Sequence, residues 1–227
     1  MCLTAPILGS KAVPVIVRIV VSALIAMAIY IGLGAGTKEI PSQMSVLVGM
    51  AVSETAIGAI AGLTARLTLD MAMTAGQVAG FPMGLGFSQA ADPFNGVPST
   101  ALGRLFTIAA LGYAVQLGLH REAAVWLFKS NLNWPPGSDF NFAAALPDFL
   151  KMVADSIAMG IRLSFPVLAA VTFGHITLGI VGKSAPQLNL SSLGFSIAIL
   201  CGGAALFMSV NPAAEYAANL AVNTLTQ

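Results

Sequence analysis

From Ile19 to Thr37 the chain carries no charged residue. At 1.5 Å per residue, a helix over this stretch nearly crosses a hydrocarbon core of about 30 Å. The pattern recurs. Met44 to Ala65 is a second apolar segment, broken mainly by Ser53 and Glu54, Leu163 to Gly182 is free of charge, and Leu190 to Val210 forms a last long run. Only 8% of residues are charged, against roughly 25% in a soluble domain. With 57% hydrophobic residues, a water-soluble fold could not hide the apolar surface behind so few charges. The expected fold is therefore all-α, with about six long helices, some of them broken, in apolar surroundings.

The same composition narrows function. A net charge of +1 leaves no basic face for nucleic acid. Cys2 and Cys201 lie far apart and form no CxxC or His/Cys ligand set, so inert buried thiols are expected. Lys11 and Arg18 come too late for the n-region of a cleavable signal peptide, so the first apolar segment is expected to stay in the mature protein. Neither a nucleophile motif nor a phosphate loop appears. Gly80, Gly84 and Gly86 have no preceding strand and no Lys-Ser/Thr. An enzyme is not expected, nor a cofactor.

Organisation follows from the breaks. Arg66, Asp70, Thr74 and Gln77 fall in one narrow helical arc, opposite Leu63, Leu67, Met71 and Val78. Such a polar stripe should face water or protein, not acyl chains. Gly80-Phe-Pro-Met-Gly-Leu-Gly-Phe87 should then interrupt the helix, and Asp92-Pro-Phe-Asn-Gly-Val-Pro98 reads as a turn. Ser99 or Thr100 can cap the next helix, expected to run through Leu105–Leu119 towards His120 and Lys129. The polar loop from Asn131 to Asn141, with Pro135-Pro136-Gly137, is the best internal boundary, giving parts 1–140 and 141–227. Beyond it, Asp148, Lys151, Asp155 and Arg162 share one helical face, Pro166 should kink the chain, and Lys183 to Asn189 forms a tight polar turn.

Several polar residues admit two readings. Glu54, alone in an apolar helix, is either a structural hydrogen-bonding or ion-pairing group or a functional carboxylate. Arg66 and Asp70 stand at i,i+4 and suit a structural pair or a water-lined path. His120 reads as a solvated helix end and His175 as a packing histidine; together they are too isolated for a metal site. Met71, Met73 and Met83 either fill an irregular core or seal a closed pore.

The run from Glu54 through Gly58-Ala-Ile-Ala-Gly-Leu63 to Ala75-Gly-Gln77 resembles the FliR/SctT family of export-gate proteins. So does Met83-Gly-Leu-Gly-Phe87 followed by Asp92-Pro93 and Gly96, and so does Ala185-Pro-Gln-Leu-Asn189 with Gly194-Phe195. The order of segments agrees over nearly the whole chain. Gly84-Leu-Gly-Phe-Ser88 favours the flagellar FliR branch over the injectisome SctT branch. Ser191 and Ser196 stand where the family usually has Phe and Pro, and the Gly-His-His element is reduced to Gly118-Leu119-His120. The family usually has a further stretch before the segment matching Ala5-Pro6, so a shortened first helix is expected.

The resemblance implies one subunit completing a helical channel of FliP and FliQ subunits in the bacterial inner membrane, within the flagellar basal body, with FlhB at the cytoplasmic entrance. Residues 1–140 would be FliP-like and 141–227 a FliQ-like hairpin. Met83, Gly84, Gly86, Phe87, Asp92, Pro93 and Phe94 would belong to a plug loop over Gly84–Pro98. Lys183, Pro186, Gln187 and Asn189 would form the cytoplasmic turn. Glu54, Arg66, Asp70, Thr74 and Gln77 would form a polar stripe or a lumen or intersubunit face. Unfolded flagellar substrates would pass without covalent chemistry. A secondary transporter or ion channel, with Glu54, Arg66 and Asp70 as the ion path, is the competing reading; a pure scaffold is a third.

Overall fold

The computed structural model describes residues 14–32, 43–85, 100–135, 141–184 and 190–226, the last range with side chains from 193 to 225. Within these residues the chain is 93% helical and contains no strand. Six helices follow in order: α1 (Val15–Gly32), α2 (Met44–Gly80), α3 (Ala101–Gln116), α4 (Leu119–Asn133), α5 (Phe142–Ser184) and α6 (Leu190–Thr226). Four of them, α1, α2, α5 and α6, are long and apolar enough to cross a membrane. The bent pair α3 and α4 makes a fifth span if counted as one.

Helix boundaries have local causes. Thr100 caps α3: its Oγ1 accepts the Gly103 amide at 2.9 Å while its carbonyl accepts the Arg104 amide at 3.0 Å. Asn141 does the same for α5, with Oδ1 accepting the Ala144 amide at 3.1 Å. Between α3 and α4, Gly118 takes φ 82°, a left-handed conformation that costs an L side chain about 1–2 kcal/mol. Its carbonyl accepts the amides of Arg121 and Glu122 at 2.8 and 3.0 Å, which starts α4.

The structure redraws several expected segments. The apolar run from Met44 and the Arg66–Gly80 stripe form one uninterrupted helix, α2. The segment after Thr100 breaks at Leu117–Gly118, short of the expected run through Leu119. Pro147 and Pro166 both lie within α5, which runs from Phe142 to Ser184. The last helix passes Pro212 and runs on to Thr226 instead of ending near Val210. A charge-free window marks where lipid could surround a helix; it does not mark where the helix ends.

Two compact units emerge, and they interleave along the chain. The first draws on Met1–Leu67, Val115–Val153 and Leu220–Gln227. In it the end of α1 meets α4, where a Cβ on Gly32 would lie 3.4 Å from the Phe128 ring. No residue of α1 is buried.

The second unit comprises Thr68–Ala114 and Ala154–Asn219. Its interior is built from small residues. Ala72, Ala75 and Ala79 of α2 are buried, as are Gly103, Ala110 and Ala114 of α3 and Ser156, Gly160 and Ser164 of α5. On α6, Ala198, Ala213, Ala214, Ala217 and Ala218 are buried too. Some large side chains, Phe106, Met71 and Met83 among them, are buried with these, but Phe165, Phe173, Leu200, Phe207 and Met208 point outward and are exposed. Small residues inside let helix backbones approach, and large ones outside suit lipid or a partner helix. This inversion is what a helix bundle does when water does not drive its assembly.

Candidate functional site

The candidate site is the end of α2 and what receives it. After Gly80 the chain turns through Phe81–Leu85. The Leu85 amide donates to the Gly80 carbonyl at 3.1 Å and the Gly84 amide to the Phe81 carbonyl at 3.0 Å. Gly84 has φ 75°. A 6→1 and a 5→2 hydrogen bond closing on a left-handed glycine make a Schellman motif, which uses carbonyls that a helix end leaves without partners. Leu85 packs back on the cluster that includes Ala79, the hydrophobic contact that usually accompanies this stop. The first glycines of the expected interruption are thus a helix terminator.

Met83, in that turn, is buried. It joins Ala79 of α2, Val167 and Val171 of α5 and Ala198 of α6 in one apolar cluster. The notch that admits it is Gly202, where a Cβ would lie 2.7 Å from the Met83 Sδ. Gly84 abuts α6 as well: a Cβ there would come within 2.8 Å of the Phe195 ring. Met83 thus packs in a gap among three helices, α2, α5 and α6.

The polar stripe divides. Thr74 donates its hydroxyl to the Asp70 carbonyl at 3.1 Å, within its own helix. Its carbon atoms face α5, where a Cβ on Gly160 would lie 2.8 Å from the Thr74 Cβ and 2.9 Å from the Met71 carbonyl oxygen. Gln77 faces α3, with its Cγ 3.1 Å from a Cβ built on Gly103. These two residues therefore sit between helices of this chain. Glu54 and Asp70 are half-buried and Arg66 is exposed. Lys183, in the last turn of α5, is exposed. His175 is exposed on α5, so it is not the packing histidine expected within this chain. His120 is exposed beside Arg121, whose Nη2 pairs with Glu122 Oε1 at 2.9 Å. Cys201 is a free thiol, half-buried near Gly174. Among the described residues no group of three His, Cys, Asp or Glu could hold a metal ion.

The sequence that forms these helices and the glycine stop after α2 matches a known family. The family model described as bacterial export proteins, family 1, matches residues 1–223. The chain belongs to bacterial export protein family 1.

Among its relatives in that family, a flagellar biosynthetic protein FliR from Caulobacter vibrioides is 26% identical over 213 residues, covering 93% of this chain and 84% of the relative. FliR of Escherichia coli is 26% identical over 216 residues, covering 94% and 82%. FliR of Bacillus subtilis is 24% identical over 205 residues, covering 86% and 76%. In this export-family chain, Gly86, Phe87, Asp92, Pro93 and Phe94 lie outside the described residues, as do Pro186, Gln187 and Asn189. Sequence reasoning missed Gly76, Gly160, Phe195 and Gly202 as contact points. A hint was available: each glycine sits inside a long helix, where glycine costs roughly 1 kcal/mol against alanine and so asks for a packing reason.

Proposed function

We propose that this chain is the FliR-type subunit of the flagellar protein export gate, sited in the bacterial inner membrane at the base of the flagellum. The observation that carries the reading is the export-family match over residues 1–223. The flagellar names of the Caulobacter, Escherichia and Bacillus relatives favour the flagellar system over an injectisome. The structure fits a subunit of a larger channel. Apolar side chains such as Phe207, Met208 and Leu200 stand exposed along α6, and none of α1 is buried. Neighbouring FliP and FliQ subunits, with lipid, would cover those faces, and FlhB would meet the turn between Lys183 and Asn189.

In this reading residues 1–140 play the FliP-like part and residues 141–227 the FliQ-like hairpin. The chain leaving the Gly84 stop, through Pro98, occludes the channel at rest. Unfolded flagellar substrates pass when it yields. Glu54, Arg66 and Asp70 line a polar path or an intersubunit contact, whereas Thr74 and Gln77 act within the chain. Transport of this kind needs no bond-making chemistry and no cofactor.

The test is co-expression with FliP and FliQ homologues, followed by purification on a tag carried by this chain. A stoichiometric complex containing all three is the expected result. A stable monomer that alone transports a small solute or ion in liposomes would overturn the reading in favour of a transporter.

A further inference from the structure

We infer that the outward face of α6 from Met208 to Asn219 docks a helix of a neighbouring subunit that brings a basic side chain to Glu215; the inference rests on the export-gate reading above. Between Leu193 and Leu225 α6 is apolar enough to cross a membrane, and Glu215 is the one charged residue in that stretch. Asn211, Glu215 and Asn219 recur every fourth residue, so they share about 80° of the helix circumference. All three are exposed, whereas Ala213, Ala214, Ala217 and Ala218 between them are buried. Among the described residues, none pairs with the Glu215 carboxylate. The ladder is therefore a second face of α6, separate from the alanine face that packs within the chain.

The outward face changes character along the helix. Leu200, Phe207 and Met208 present large apolar side chains, which suit acyl chains. Just beyond them Pro212 has no amide hydrogen, so the Met208 carbonyl loses its helix donor on the same side as the ladder. One carbonyl, two side-chain amides and a carboxylate thus follow one another within about 17 Å of helix. Hydrocarbon offers a donor to none of them, and an unpaired carboxylate is the costliest to leave there. Oxygen acceptors outnumber donors on this face, since only the two amide groups donate. What it lacks is N–H donors and a positive charge, which a guanidinium or ammonium on a facing helix supplies; a guanidinium fork can also bridge from Glu215 to an asparagine one turn away. Pro212 and Tyr216, both exposed, border the ladder and give that helix an apolar surface to pack on.

The experiment uses the full chain co-expressed with the FliP and FliQ homologues and purified on a tag carried by this chain. A benzophenone amino acid in place of Asn219 should cross-link to one of those subunits, in a peptide that contains Arg or Lys. Glu215→Lys should lower the recovered complex on the order of tenfold, and reversing the mapped basic residue to Glu should restore it. Asn219→Leu should lower recovery about threefold, whereas at a lipid-facing position leucine is neutral or better. Wild-type recovery of both variants, while the wild-type chain still brings down FliP and FliQ, would overturn the docking face and leave the gate reading standing. Cross-links confined to this chain or to lipid would do the same. So would a Glu215→Lys loss that charge reversal in the partner does not repair, or rapid labelling of Glu215→Cys in the assembled complex by a membrane-impermeant thiol reagent, which would put water against this face. A wild-type chain that brings down neither subunit would overturn the gate reading itself.

Discussion

Thr74 turns its hydroxyl back onto its own helix and its carbon atoms onto the backbone of Gly160. The hydroxyl donates to the Asp70 carbonyl at 3.1 Å, and a Cβ on Gly160 would stand only 2.8 Å from the Thr74 Cβ. A residue read as polar stripe is thus a spacer between α2 and α5. Gly160→Ala should destabilise the protein by about 1–3 kcal/mol, because overpacking displaces neighbours. Gly76→Ala should cost more, since its Cβ would meet the Leu102 carbonyl oxygen at 2.6 Å and the Gly103 Cα at 2.8 Å, which are backbone atoms. Thr74→Val keeps the shape and should shift the thermal midpoint of the detergent-solubilised complex by far less than either. A Gly160→Ala midpoint equal to wild type would remove the close approach from the account.

The sequence made the class and most elements legible for a simple reason. Charge-free runs long enough for a bilayer have few other uses, and the Thr100 cap and the Gly80–Gly84 stop are local chemistry. What it hid was which face of each helix turns inward. In a soluble helix the large apolar residues point to the core, but here Ala75, Ala79, Ala198 and Ala217 are buried while Phe173, Phe207 and Met208 are exposed. Arg66, Asp70, Thr74 and Gln77 all lie on α2, yet Thr74 and Gln77 pack within the chain because Gly160 and Gly103 leave room for them. Such pairings are long-range, between residues dozens of positions apart, and no periodicity reports them.

Gly84 and Gly118 offer a matched comparison. Both have positive φ, 75° and 82°, but only Gly84 has a ring against it; the nearest atom to a Cβ on Gly118 is 4.0 Å away. Gly118→Ala should cost the backbone strain alone, about 1–2 kcal/mol. Gly84→Ala adds the contact with Phe195, so its midpoint should fall further. Adding Phe195→Ala to Gly84→Ala should recover that excess and no more. Equal losses for the two single alanine variants would show that the Phe195 contact carries no weight.

Thr100 is buried and holds the start of α3 through its Oγ1 bond to the Gly103 amide. Thr100→Ala leaves that amide without its acceptor and should cost about 1 kcal/mol. Thr100→Ser keeps the oxygen and should retain most of it, losing only the methyl contact near Gly80, where a Cβ would be 3.5 Å from Thr100 Cγ2. Amide hydrogen exchange in the first turn of α3 is the direct measurement. Protection at Gly103 that survives Thr100→Ala would contradict the capping role.

Arg121 and Glu122 are the counter-case, a contact whose loss should be silent. Their 2.9 Å pair joins adjacent residues, and although the Glu122 side chain is only 17% exposed, the Arg121 side chain is 74% exposed and keeps the pair in contact with solvent. Pairs of this kind contribute only about 0–1 kcal/mol and are screened by salt. Glu122→Gln should leave the thermal midpoint within error of wild type at physiological ionic strength. Gly118, four residues before Glu122, already fixes the start of α4 by accepting both the Arg121 and Glu122 amides, and those bonds survive the substitution. If Glu122→Gln instead lowers the midpoint as far as Gly118→Ala, the carboxylate has a partner in the assembled complex that this chain alone does not supply, and cross-linking from position 122 would identify it.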